Sequence, residues 1–148
     1  MILSDLIKDN NVIFLDVKNS NSAIEELVNK TRELKLVNND DEFLNAVLER
    51  ENIISTGIGL GIAIPHSKLQ SIENFFVIVG ILKNEIEWNS IDSKPVKVVF
   101  LIGGPSNAQK KYLGLLSKLM LLIKSSTIRE KLFTAKSQND ITDIFTSF

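Results

Sequence analysis

The sequence predicts an α/β fold, a mixed central β-sheet flanked by helices on both faces, and three features carry that prediction. Phe75-Phe-Val-Ile-Val-Gly-Ile-Leu82 and Val96-Lys-Val-Val-Phe-Leu-Ile102 are rich in β-branched and aromatic residues and almost free of polar ones. Strands of that composition are covered on both faces of their sheet. Helical apolar spacing precedes and follows these runs, so helices are available to supply both covers. At 148 residues, with no Pro/Gly/Ser-rich linker, long charge run or internal repeat, the chain reads as a single domain over residues 1–148.

Taken in order, Val12-Ile-Phe-Leu15 is a short β-type run. Ser22-Ala-Ile-Glu25 has the capping-box pattern, and Ile24, Leu27, Val28 and Leu34 fall near one face of a first helix. Asn39 is a helix cap, followed by the acidic residues Asp40, Asp41 and Glu42, which suit a positive helix start. Phe43, Leu44, Val47 and Leu48 form the apolar stripe of that second helix, which is expected to end near Arg50. After the two central strands, Gly103-Gly-Pro-Ser106 reads as a turn. It leads into a helical pattern from Asn107 to Ile123, and two shorter helical patterns follow, around Ile128–Ala135 and from Asp140 to Phe148.

Composition narrows the function classes. Apolar residues at 44% against 24% charged argue against a disordered chain, and a net charge of −1 argues against a polyanion-binding surface, so no nucleic-acid partner is expected. Cysteine is absent, which removes disulfides, thiolate nucleophiles and thiolate-bound metals. With a single histidine, no structural zinc site is expected either. MILSDLIKDNN has no basic segment followed by a long apolar one, and no window approaches the roughly 18 apolar residues of a membrane span. The expectation is a cytoplasmic protein with no membrane insertion, no cofactor and no metal.

The remaining chemistry gathers in IISTGIGLGIAIPHSK, residues 53–68. Its spacing G-x-G-x-G, leading to a proline and the lone histidine, departs from a dinucleotide-binding loop, and the chain has no phosphate loop, H-E-x-x-H, EF-hand or G-x-S-x-G pattern. Pro65 fixes its own φ and biases Ile64 toward an extended conformation, so His66 leaves a stiff backbone. A lone imidazole there serves one of two ends: a satisfied structural side chain, or a nucleophile. For the second, the ring must be neutral, with Nδ1–H held by a backbone carbonyl and Nε2 free to attack an electrophile. Gly57, Gly59 and Gly61 leave two readings open, an anion-binding concavity of backbone N–H groups or a tight hairpin or bulge. Arg50, sixteen residues before His66, is either a planar fork for phosphate oxygens or a solvated cation at a helix end. Ile58, Leu60, Ile62 and Ile64 suit either a docking surface around the histidine or the core.

At these residues the chain resembles the fructose/mannitol-type IIA domain of the bacterial phosphoenolpyruvate-dependent sugar phosphotransferase system. The resemblance runs through LERENIISTGIGLGIAIPH, with Arg50 and His66, and continues through GGPSNAQKKYLGLLSKL to the helical C-terminus, covering nearly the whole chain. STGIGLGIAIPH looks closest to the nitrogen-regulatory branch. The resemblance implies a mixed sheet flanked by helices and a phosphoryl group accepted by His66 from the phosphocarrier protein HPr. That group would pass to a IIB domain or serve as a signal to a regulatory target. Arg50 would stabilise the phosphate, and Gly59, Gly61, Ser67 and Tyr112 form the candidate phosphate- or partner-binding set. Two positions depart from the family pattern. Tyr112 stands where many members carry a second histidine, forty-six residues after the first, and brings a neutral donor in place of a positive charge. Leu60 replaces the usual Asn or Glu between the glycines and cannot hydrogen-bond. A binding module of the same fold with weakened or lost transfer is the competing expectation, while a hydrolase using His66 as a base lacks a recognised nucleophile motif.

Overall fold

The computed structural model describes residues 2–146 and 148. Its element order is α1 (Leu3–Leu6), β1 (Val12–Leu15), α2 (Ser20–Glu33), α3 (Asp40–Ile53), β2 (Gly57–Gly59), β3 (Ile62–Ala63), β4 (His66–Leu69), β5 (Phe76–Ile86), β6 (Val96–Pro105), α4 (Gln109–Ile123), α5 (Ser126–Thr134) and α6 (Gln138–Phe145). The strands form one six-stranded sheet in the order β1-β5-β6-β3-β2, with β4 also paired to β6. Pairing is parallel for β1–β5, β3–β6 and β4–β6 and antiparallel for β2–β3 and β5–β6, so the sheet is mixed as expected.

Both faces of this sheet are covered, which explains why β5 and β6 read as nearly continuous apolar runs. On one face Val77, Val79, Val98, Phe100 and Ile102 pack with Leu115, Leu119, Leu132 and Phe145 from α4, α5 and α6. On the other, Ile78, Val99 and Leu101 pack with Ile24, Leu27, Phe43 and Val47 from α2 and α3. Alternate residues of one strand therefore feed two separate cores.

Several boundaries differ from the sequence reading. The cap of α2 is Asn19, whose side chain accepts from Ser22 N at 2.8 Å, so the helix begins at Ser20, before the Ser22–Glu25 pattern. The expected cap at Asn39 is present, accepting from Glu42 N at 3.1 Å, but α3 continues past Arg50 to Ile53. Ser125 and Ser137 cap α5 and α6, which begin two residues earlier than expected and end at Thr134 and Phe145.

The clearest correction concerns Gly103-Gly-Pro-Ser106. Gly103, Gly104 and Pro105 are the end of β6, not a turn. A Cβ on Gly103 would lie 2.2 Å from Phe76 Cζ, and one on Gly104 would lie 2.2 Å from Phe75 Cδ1. The two glycines give up side chains so that the consecutive phenylalanines can lie on opposite faces of the strand.

Residues 62–69 form one extended path beside β6. Ile62 is opposite Val98 and His66 opposite Ile102, so the register holds through both segments. Pro65, which lacks an N–H, interrupts the ladder between them, yet its carbonyl still accepts from Ile102 N at 3.0 Å. His66 thus starts β4 on a backbone anchored to a central strand. Among the described residues no helix is long and apolar enough to cross a membrane.

Candidate functional site

Pairing fixes the direction of the imidazole. Residues directly opposite one another share a face, and His66 is opposite Ile102, which is in turn opposite Val77 on β5. Ile102 and Val77 belong to the core beneath α4, so His66 stands on the α4 face at the edge of that core. Its ring is half-buried, and Nδ1 lies 2.8 Å from the Ile64 carbonyl oxygen. A carbonyl only accepts, so this contact places the ring hydrogen on Nδ1 and leaves the lone pair on Nε2. Burial lowers the pKa from 6.5. The Ile64 bond opposes that shift, the positive charge of Arg50 adds to it, Glu51 opposes it and Lys68 adds to it. At neutral pH the ring is an uncharged nucleophile.

Arg50 approaches from the last turn of α3. Its Nη1 donates to Ile54 O at 2.8 Å, closing the helix end and leaving the other guanidinium hydrogens for further acceptors. The positive charge of this guanidinium is felt at both rings, lowering the pKa of His66 and opposing the rise at Tyr112. Glu51 holds the next segment: its carboxylate accepts from Thr56 N at 2.6 Å and from Thr56 Oγ1 at 2.5 Å, fixing the chain that enters the glycine hairpin.

Tyr112, in the first turns of α4, forms the wall opposite the strand. Its ring centroid is 5.6 Å from that of His66 and 6.4 Å from that of Phe75, to which it is stacked at 16°. Only 5% of the residue is exposed, yet its hydroxyl has no hydrogen-bond partner among the described residues, and burial pushes its pKa up to about 12 against the opposing charge of Arg50. A protonated O–H without an acceptor is a buried donor left unsatisfied in this state. Lys68, two residues beyond His66 on the same face, carries its Nζ 4.7 Å from the Tyr112 ring centre and bonds Gln109 Oε1.

The structure therefore brings His66 and Tyr112 together, with the charge of Arg50 acting on both. It does not bring Gly59 and Gly61 to the imidazole. Five residues of extended chain, about 16 Å, separate Gly61 from His66. The hairpin reading of the glycines is the one realised: Gly59, Leu60 and Gly61 turn with φ of 90°, 61° and 76°. An anion nest is not free there, because the Leu60 N–H already donates to Asp92 Oδ2 at 3.0 Å. Ser67 lies beside the histidine in sequence, but strand alternation sends its side chain to the α2/α3 face, where its neighbour Leu69 packs. The suggested apolar docking surface is mostly core: Ile62 and Ile64 are buried and Ile58 packs against the core, while Leu60 is 47% exposed at the hairpin tip. Sequence reasoning passed over Lys68, Phe75 and Gln109. Only Lys68 carried a local signal, its i+2 spacing from His66 on an extended strand.

Comparison with known proteins gives this geometry its family. Residues 5–148 match the family described as "Phosphoenolpyruvate-dependent sugar phosphotransferase system, EIIA 2". The chain is 31% identical over 142 residues to a nitrogen regulatory protein of Bradyrhizobium diazoefficiens, covering 95% of this chain and 92% of that one. It is 35% identical over 130 residues to the fructose-specific EIIABC component of the phosphotransferase system of Bacillus subtilis, covering 88% of this chain but only 20% of that protein's length. The crystal structure of the nitrogen regulatory protein IIA-Ntr from Neisseria meningitidis superposes with a TM-score of 0.90 at 26% identity, over 97% of this chain and 99% of that one. On the match over residues 5–148, the chain belongs to the EIIA 2 family of the phosphoenolpyruvate-dependent sugar phosphotransferase system.

Proposed function

We propose that this chain is a phosphohistidine carrier whose His66 accepts a phosphoryl group from HPr and either passes it on or displays it as a regulatory signal. The observation that carries this reading is the Nδ1 contact with the Ile64 carbonyl, which leaves Nε2 as the free nitrogen of a neutral ring. In the transfer step the Nε2 lone pair forms a new N–P bond while the N–P bond to the donor histidine breaks. The electron pair of the broken bond returns to the donor ring, which takes a proton from solvent. Arg50 and the Tyr112 hydroxyl supply donors for the phosphoryl oxygens, the main help that a loose transition state asks of a protein. The added charge of about −1.5 to −2 would change the surface offered to a IIB domain or to a regulatory target.

The 31% identity to a nitrogen regulatory protein and the superposition on IIA-Ntr support the signalling role, and the 34% identity to a fructose-specific EIIA component supports onward transfer. A binding module with weakened transfer is the second reading, favoured by Tyr112, which brings no positive charge to the site. Leu60 does not add to it, since the hairpin tip lies away from the ring. The test is incubation with phosphoenolpyruvate, enzyme I and HPr, followed by intact mass. We expect one acid-labile phosphoryl group on the wild type and none on His66→Gln. A wild type that stays unmodified while HPr is phosphorylated in the same tube refutes the carrier reading and leaves the binding module.

A further inference from the structure

Beside Arg50, the surroundings of His66 include a second cation, Lys68. His66 and Lys68 are alternate residues of β4, so their side chains leave the same face. Lys68 is half-buried, and its ammonium rests against two groups of α4: the Tyr112 ring, 4.7 Å from Nζ to the centroid, and the Gln109 side-chain oxygen. Both are weak holds. A cation over an aromatic ring near solvent is only weakly attracted to it, and Gln109 is an exposed neutral acceptor. The ring below cannot turn away, because Phe75 stacks on it and Phe75 itself lies against Gly104.

A phosphoryl group on Nε2 would be a dianion within reach of this ammonium. Hydrogen bonds between ionised partners are roughly twice as strong as neutral ones, so the phosphoryl oxygens outcompete an amide and a ring face. Charge balance points the same way. Arg50 contributes one positive charge, part of whose donor set is engaged with Ile54 O, whereas the added group carries about −1.5 to −2.

We propose that Lys68 is the phosphoryl-following cation of this site: it rests on Tyr112 and Gln109 while His66 is bare, and moves to the phosphoryl oxygens when His66 carries the group. The inference rests on the reading of His66 as phosphoryl acceptor. It also deepens that reading, because the move frees Gln109, the first residue of α4, whose flanking Ala108 provides no side-chain cap. The loaded state is thereby communicated to the start of α4, on the exposed side of the site.

The experiment compares wild type, Lys68→Met and Lys68→Arg, each loaded in two ways. One uses phosphorylated HPr. The other uses phosphoramidate, whose N–P bond breaks as His66 Nε2 bonds phosphorus, ammonia leaving with a proton from solvent. Methionine keeps an apolar stem over the Tyr112 ring, and circular dichroism checks that the fold is retained. In chemically loaded protein we expect Lys68→Met to lose its phosphoryl group about three- to tenfold faster at neutral pH, and Lys68→Arg to return to within about twofold of wild type. The Gln109 side-chain amide resonance should shift on loading in wild type and stay in place in Lys68→Met. Equal lifetimes in wild type and Lys68→Met, or a Gln109 resonance that ignores loading in wild type, overturn the role of Lys68. Loading by phosphoramidate but not by HPr refutes the donor and leaves the Lys68 comparison standing. A His66 that neither reagent modifies overturns both.

Discussion

Gly104→Ala tests how the sheet supports the site. The new methyl would lie 2.2 Å from Phe75 Cδ1, 2.3 Å from Cε1 and 3.0 Å from Cγ. Carbon atoms in favourable contact are about 3.5–4.0 Å apart, so the ring must move by about 1.3 Å or more. The methyl sits against the ring rather than a flexible side-chain end, and the ring is stacked on Tyr112, so the displacement carries into the site. Overpacking of this kind costs about 1–3 kcal/mol, and loss of the aromatic stack accounts for about 0.5–1.5 kcal/mol of it. For a chain of this size that corresponds to a fall in Tm of about 3–10 °C.

The double-mutant cycle with Phe75→Ala isolates the contact. In the Phe75→Ala background the methyl meets no ring, so Gly104→Ala should cost nothing or stabilise slightly by restricting the unfolded chain. Urea unfolding followed by fluorescence of the single tryptophan, Trp88, gives the four free energies. Gly103→Ala is the control on the other face: its methyl meets Phe76, which is 3% exposed and has no outward path. It should cost more stability than Gly104→Ala, but after equal folding is confirmed it should disturb phosphoryl loading less. Equal costs for Gly104→Ala with and without Phe75 would refute the account of the Gly-Gly pair.

Three further outcomes follow from the site. Tyr112 is the only tyrosine, so phenolate absorbance reads it alone; its midpoint should lie at about 12 in the folded protein and near ~10 in urea, and a folded midpoint near the urea value would refute its burial. Because the unfolded phenol ionises first, stability should fall as pH rises between those two values. His66, the only histidine, should titrate below 6.5 by NMR. The unfolded chain then binds a proton that the native state declines, so stability should fall as pH drops from 6.5 through the lowered native value; His66→Gln should remove that slope, and an unchanged slope would assign it elsewhere. Arg50→Ala should slow phosphoryl loading at least tenfold by removing a charged donor, while losing the Ile54 contact costs only about 0.5–1.5 kcal/mol; loading at the wild-type rate would leave Arg50 as a helix-end cap alone.

What the sequence disclosed depended on how far each interaction reaches along the chain. The Asn39 cap closes on Glu42 within three residues and is legible in the sequence, whereas the imidazole closes on Ile64, only two residues away, and the sequence shows the need for a carbonyl but not which one. Local chemistry misled where two local solutions competed: Ser22 and Asn19 can each cap, and Asn19 adds residues to α2 by accepting from Ser22 itself. The glycines at 103 and 104 resembled a turn because local pattern reports what a glycine permits, not what it makes room for. Their reason is two rings 27 to 29 residues upstream, visible only once β5 and β6 pair. The same limit hid Lys68, whose resting partners arrive on α4 more than forty residues later. The site thus has a local half, Pro65 and His66 with the Ile64 carbonyl, and a non-local half made of Arg50, Tyr112, Phe75 and Lys68. The local half gives an imidazole its tautomer, but only the arrival of α4 brings the Tyr112 ring against it and only α3 brings the charge of Arg50 to bear on it. A motif can therefore single out the histidine, whereas the surroundings of its ring are set by packing that the motif does not contain.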